Sequence, residues 1–337
     1  MMRSDLPLSE ARAYRPDLMV PDDLAEFWRA TLDDAPVSWD AVRVDNGLLA
    51  IETHDVSFAG FGGDPVRAWL HLPAPGLRSG PLPGVVQFQG YNGGRGLAHE
   101  HVFWATAGYA QLVVDTRGQG SGWTTGATGD VGPAGPSQPG FLTRGIEDRD
   151  TYYYRRAYAD ACRAVEVLRG HDAVDPARVA VAGASQGGAL ALAAAALVPD
   201  LVAAVLCDVP FLCDLRRSAD LAQAEPCLEL VRYLGAHRDR VEQTFATLAY
   251  FDGAVLARLA RAPALFSVAM MDVICPPTTV FAAFNAYGGP KGVEVYEFND
   301  HEGGEAFQRS RQLVWLRAAL GPGRASPEMD DHALPTG

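Results

Sequence analysis

The chain has 337 residues, 48 % of them hydrophobic and 20 % charged, a balance that fits a globular protein long enough for one large α/β domain or two modest ones. Its formal net charge of −13 repels phosphate backbones and anionic lipid, and no basic run offsets it, so nucleic acid and membrane surfaces are excluded as expected partners. A chain of this size buries most of its unfolded surface without a metal or disulfide staple, and the five cysteines, Cys162, Cys207, Cys213, Cys227 and Cys275, read by their wide spacing and apolar neighbours as reduced, partly buried thiols.

The first eighteen residues, MMRSDLPLSEARAYRPDL, contain no apolar stretch of the signal-peptide kind, and no window reaches the roughly 18 apolar residues of a membrane span. Both readings predict a cytoplasmic protein. Residues 1–50 read as a helical approach segment, because DDLAEFWRATLDD places Leu24, Phe27, Trp28 and Leu32 at helical spacing. IETHDVSFAGF and PVRAWLHLP then predict two antiparallel strands around a glycine-rich turn. From GVVQFQG (84–90) onward short apolar runs alternate with amphipathic stretches. Strands are expected at 111–118, 178–185, 201–210, 263–272 and 292–300, with helices at 97–107, 152–170, 186–198, 275–287 and 304–320. That alternation predicts an α/β fold, a mainly parallel central sheet with helices on both faces. Residues 119–150, rich in Gly, Pro, Ser and Thr, read as a long ordered loop. Residues 211–258 read as a small helical lid over the carboxyl ends of the strands, where open α/β sheets bind ligands. The organisation expected is a single domain over 1–320 and a flexible tail over 321–337.

The strongest local signal is Gly183-Ala184-Ser185-Gln186-Gly187, set between a predicted strand and a predicted helix. That is the context of a nucleophile elbow, whose tight turn lifts the serine hydroxyl to the top of the sheet at a helix N-terminus. A serine hydroxyl needs an imidazole base at neutral pH, and in this arrangement the chain order is Ser, then Asp or Glu, then His. Three histidines follow Ser185. His332 lies in the tail and His237 in the lid segment. His301, in Asn299-Asp300-His301-Glu302-Gly303-Gly304, directly follows the last strand. For the acid, position favours Asp272, which closes PALFSVAMMD, with Asp208, which closes LVAAVLCD, as the alternative. The oxyanion of a tetrahedral intermediate calls for two backbone N–H donors, one from Gln186 and one from the earlier loop Gln89-Gly90-Tyr91-Asn92-Gly93-Gly94, assigned to Tyr91. Trp104, Trp123, Pro210 and Phe211 are the expected pocket walls.

Other signals lead nowhere. Gly118-Gln119-Gly120-Ser121-Gly122 follows a strand, but no helix comes directly after it, as a dinucleotide fingerprint requires. His99 and His101 are two apart and share no helix face, and His301-Glu302 lacks the second histidine of a zinc-protease motif. No metal or cofactor is expected. Tyr152, Tyr153 and Tyr154 are expected to pack a helix against the sheet.

The runs GYNGGRG, VVDTRGQGSG, PGFLTRGI, YYYRRAYADACRAVE, GASQGGALALAAAAL, MMDVICPPTTVFAAFN and NDHEGG together resemble the cephalosporin-C deacetylase and acetyl xylan esterase family, carbohydrate esterase family 7, from about residue 10 to 320. The resemblance implies an α/β-hydrolase fold and a serine esterase that removes acetyl groups from small acetylated sugars and from cephalosporin C. It assigns Ser185, Asp272 and His301 as triad, with Tyr91 and Gln186 as oxyanion donors, and implies a ring-shaped cytoplasmic homohexamer. Ala184 stands where the family leads one to expect glycine. A general short-chain carboxylesterase, a peptidase on the same fold, or a non-catalytic binding protein are the competing readings, since a fold does not decide a substrate.

Overall fold

In the computed structural model, residues 5–32, 36–130 and 135–321 are described. The chain opens with two short helices, α1 (Leu8–Ala13) and α2 (Leu24–Thr31), followed by β1 (Trp39–Val44), β2 (Ile51–Ala59) and β3 (Pro65–Pro73). The alternating part comprises β4 (Leu82–Phe88), α3 (Phe103–Thr106), β5 (Ala110–Val114), α4 (Tyr153–Arg169), β6 (Val174–Ala184), α5 (Gln186–Leu197) and β7 (Ala204–Asp208). Four helices come next: α6 (Leu215–Asp220), α7 (Cys227–Ala236), α8 (Val241–Leu248) and α9 (Gly253–Leu256). The chain then completes the sheet with β8 (Ala264–Ala269), α10 (Pro277–Ala286), β9 (Lys291–Tyr296) and α11 (Glu305–Ala319).

The strands form one sheet in the order β1-β2-β3-β5-β4-β6-β7-β8-β9. It is antiparallel from β1 to β5 and parallel from β5 to β9. The parallel part is where both faces must be covered. α4, α5 and α10 cover one face in the larger hydrophobic core, and α3 and α11 cover the other, where Val85, Ala182 and Leu206 meet Trp104, Trp315 and Leu316. α5 is buried on every side, and its run of alanines and glycines lets it approach β6, β7 and α4 closely. This is the α/β-hydrolase arrangement. Tyr152, Tyr153, Tyr154 and Tyr158 are all fully buried, with Tyr152 and Tyr158 packed on Phe251, Tyr158 on Trp28, and Tyr153 on Phe141. All five cysteines are unpaired and buried.

Two expectations need correction. Residues 1–50 are not helical throughout, because Trp39–Val44 pairs with β2. As an edge strand it buries little, so its sequence lacks a strong apolar alternation. The helix expected over 97–107 shrinks to Phe103–Thr106, since His101 sits at φ +53° and breaks the preceding turn. Of the expected tail, residues 322–337 lie outside the described residues, as does His332. Among the described residues, no helix is long and apolar enough to cross a membrane.

The loop over 119–150 has no helix or regular strand among its described residues. Its Asp130 is held by Arg144 and Arg156 at 3.1 and 3.0 Å. Arg117, at its root, is itself buried against Asp160 at 2.6 Å. These ion pairs fix a segment that has no backbone ladder of its own.

Candidate active site

The turn between β6 and α5 is as tight as its sequence suggests. Ser185 sits at φ +56°, ψ −123°, a conformation costly for a residue with a Cβ and common where a reactive side chain is held out for use. A Cβ on Gly183 would lie 2.2 Å from the carbonyl carbon of Gly187, and one on Gly187 would lie 2.4 Å from the carbonyl oxygen of Phe88, so both positions require glycine. Ala184 is exposed and lines the cavity beside Ser185, so a methyl group fits there. The strained residue is clamped on both sides: its N–H donates to Asp208 O at 2.9 Å, and its carbonyl accepts from Phe211 N–H at 3.0 Å.

Asp272 is fully buried. Its Oδ2 lies 2.8 Å from His301 Nδ1, and its Oδ1 accepts from the N–H groups of Ile274 and Cys275, each at 2.8 Å. With Nδ1 donating to the carboxylate, Nε2 is the basic nitrogen of the ring. The loop presenting His301 is braced by its own acids, Asp300 Oδ1 accepting from His301 N–H and Glu302 Oε2 from Asp300 N–H, both at 2.9 Å. Ser185 and His301 line the same cavity. Cys275 is buried beside this pair. Its sulfur also lies within 4.8 Å of a His301 nitrogen and an Asp272 oxygen. Burial raises that thiol well above its ordinary value, so it stays protonated and is no rival nucleophile.

Asp208, the alternative acid, is engaged elsewhere. Its two oxygens accept from Gln308 Nε2 at 2.7 Å and Gln312 Nε2 at 2.6 Å. Burial pushes its carboxyl up to about 6 despite those donors. Of the two candidates, the fold brings Asp272 to His301.

Tyr91 follows β4, and Gln186 opens α5. Among the described residues, the backbone N–H of neither has a protein acceptor, which leaves both free for a ligand oxygen. A fully buried side chain that was not among the predicted site residues ties the two together. Gln119 Oε1 accepts from Asn92 N–H at 2.6 Å, next to Tyr91, and from Gln186 Nε2 at 3.1 Å. Its Nε2 donates to Gln186 Oε1 at 2.8 Å and Tyr153 OH at 3.0 Å. Tyr154 OH adds a hydrogen bond of 2.9 Å to Gln186 Oε1. The signal for Gln119 was its place between two glycines after a buried strand, in the segment set aside as a failed nucleotide motif. Gln119→Leu removes these ties between the Tyr91 loop and Gln186 and is expected to lower kcat for p-nitrophenyl acetate by about 10²-fold, the scale of one lost oxyanion donor. KM should change much less, and the thermal midpoint serves as the check on folding. A rise in KM at constant kcat would assign Gln119 to substrate binding instead.

The Tyr91 side chain faces away from this network. Its hydroxyl donates to Glu229 of α7 at 2.8 Å and accepts from Phe141 N–H at 3.0 Å. Burial raises the Glu229 carboxyl, opposed by the hydrogen bond from Tyr91.

The cavity measures about 1390 Å³. Trp104 and Trp123 line it, as expected. Pro210 and Phe211 do not, and this expectation is corrected. After β7 the chain passes through positive φ at Val209 and Leu212, which turns Phe211 into the core behind Tyr91, ring centroids 6.5 Å apart. One wall comes from the 211–258 segment through Glu225, Pro226, Glu229 and Arg232.

A protein-family model described as acetyl xylan esterase (AXE1) matches residues 1–319. The chain is 36 % identical to an acetyl xylan esterase from Paenibacillus sp. R4, with a TM-score of 0.84 over 93 % of this chain and 99 % of that one. It is 30 % identical to acetyl xylan esterase 1 from Thermoanaerobacterium sp. JW/SL YS485, with a TM-score of 0.82 and the same coverage of both chains. It is also 28 % identical over 320 residues to the acetyl esterase Axe7A of Xylanibacter ruminicola, spanning 88 % of this chain and 67 % of that protein.

Proposed function

Because the chain belongs to the acetyl xylan esterase family, and is thereby a carboxylic ester hydrolase, we propose that it removes acetyl groups from small acetylated substrates by a serine mechanism. The substrates proposed are acetylated xylo-oligosaccharides and cephalosporin C. The observation that carries the serine mechanism is the strained, clamped Ser185 facing the same cavity as a histidine fixed by a buried aspartate.

In this reading Ser185 Oγ attacks the acetyl carbonyl carbon while His301 Nε2 takes the hydroxyl proton. Asp272 holds the ring and stabilises its charged form without taking the proton. The carbonyl oxygen becomes an oxyanion between the N–H groups of Tyr91 and Gln186, where the N-terminus of the twelve-residue α5 favours negative charge. The carbon–oxygen bond to the alcohol then breaks, His301 returns its proton to the leaving oxygen, and an acetyl-serine remains. Water, deprotonated by His301, attacks that ester and releases acetate, restoring the Ser185 hydroxyl. The homohexamer and the cytoplasmic location implied by the resemblance belong to the same proposal.

Rates on acetylated xylose and on aminoacyl amides, measured side by side, test the assignment. Acetate release from the sugar with negligible amide cleavage is expected. Faster turnover of the amide would move the protein to the peptidase branch of the fold.

A further inference from the structure

The cavity is far larger than an acetyl group, and its lining includes polar side chains that the mechanism leaves unused. These side chains form a lobe on the α3–α11 face of the sheet. Gln87 and Gln89 extend the alternation of Val85 on that face, at and just beyond the carboxyl end of β4. Gln89 is only 2 % exposed, lines the cavity, and its Nε2 has no hydrogen-bond partner. His101, which also lines the cavity, has an unpartnered Nε2 too. Asp208 and Gln312, hydrogen-bonded to each other, line the cavity too, and Arg309 stands exposed on the α11 side. Buried polar groups without partners are rare because they are destabilising, and a set of them around a cavity points to a ligand that supplies the missing bonds.

Which part of the substrate goes there follows from the proton transfer. His301 must protonate the leaving oxygen, so the alcohol lies on the His301 side of the scissile bond. From His301 the wall continues through Glu302 and Glu305 to Arg309 and Gln312 along α11. We propose that the α3–α11 lobe is the leaving-alcohol subsite and that it selects a polyhydroxylated alcohol, a sugar ring, through hydrogen bonds from the Gln89 amide and to the carboxylate of Asp208. This rests on the triad reading above. The hydroxyls of a pyranose offer donors and acceptors spread around the ring, which can meet an amide and a carboxylate on strands β4 and β7, separated by β6. A phenol or simple alkyl alcohol leaves the amide unpaired. A site built around substrate hydroxyls discriminates against analogues that lack them.

The test uses the full chain and two esters, acetylated xylobiose and p-nitrophenyl acetate, whose leaving groups differ in having and lacking sugar hydroxyls. Gln89→Leu is expected to lower the ratio of kcat/KM for the sugar ester to that for the phenyl ester by about fivefold to tenfold, the effect of one hydrogen bond. Any general loss of catalysis divides out of that ratio, and an unchanged ratio overturns the subsite. Xylobiose itself, the alcohol product, should inhibit the wild type competitively against p-nitrophenyl acetate. Its failure to do so up to its solubility limit overturns the proposal even if Gln89→Leu does not fold. If the wild type hydrolyses neither ester, the serine-esterase reading fails. If it hydrolyses the phenyl ester but shows neither the ratio change nor the inhibition, only the subsite fails.

Discussion

Ser185→Ala is expected to lower kcat for p-nitrophenyl acetate by about 10³-fold or more while the protein stays folded. The substitution removes only the Oγ. The methyl group of alanine keeps the volume at the elbow, and the backbone clamps from Ser185 N–H to Asp208 and from Phe211 N–H to the Ser185 carbonyl do not involve the side chain. The residual rate measures what the Tyr91 and Gln186 donors and the cavity achieve with water as nucleophile. Initial rates of both proteins, with a thermal melt as the control for folding, decide the matter. Equal rates would remove Ser185 from the chemistry, since no part of the fold would then distinguish the hydroxyl from a hydrogen atom.

Asp272→Asn is expected to cost about 10⁴-fold in kcat. The carboxylate accepts from His301 Nδ1 at 2.8 Å and, on its other oxygen, from two backbone N–H groups. An asparagine that keeps the backbone bonds through its oxygen presents an NH₂ donor to the imidazole. The ring must then accept at Nδ1 and carry its proton on Nε2, where it can no longer take the serine proton. Asp208→Asn gives the comparison. Its partners are two glutamine amides that can flip to satisfy a neutral side chain, so the loss on p-nitrophenyl acetate should be far smaller. Similar losses for the two variants would mean that the acid is shared or misassigned.

These expectations rest on features that differ in how early they could be read. The elbow was legible because its requirements are local: two glycines within van der Waals contact of neighbouring backbone, a serine between them, a strand before and a helix after. His301 and Asp272 were legible because strand order fixes which loops reach the top of the sheet, and both residues lie in the loops that follow β8 and β9. The edge strand β1 was missed for want of burial, since a strand that packs on one side leaves little alternation to read.

The amino-acid sequence by itself determined the alternation of strands and helices, the elbow, and the chain order of Ser185, Asp272 and His301, because each depends on spacing along the chain. Only the tertiary structure decided which aspartate meets the imidazole, that Phe211 turns into the core, that Gln119 joins two loops through a partner 67 residues away, and that Gln89 and Asp208 share one polar lobe. Those outcomes turn on the direction of a side chain after a bend and on contacts between distant segments. Neither leaves a periodic trace in a linear sequence, since both are set by packing across the sheet.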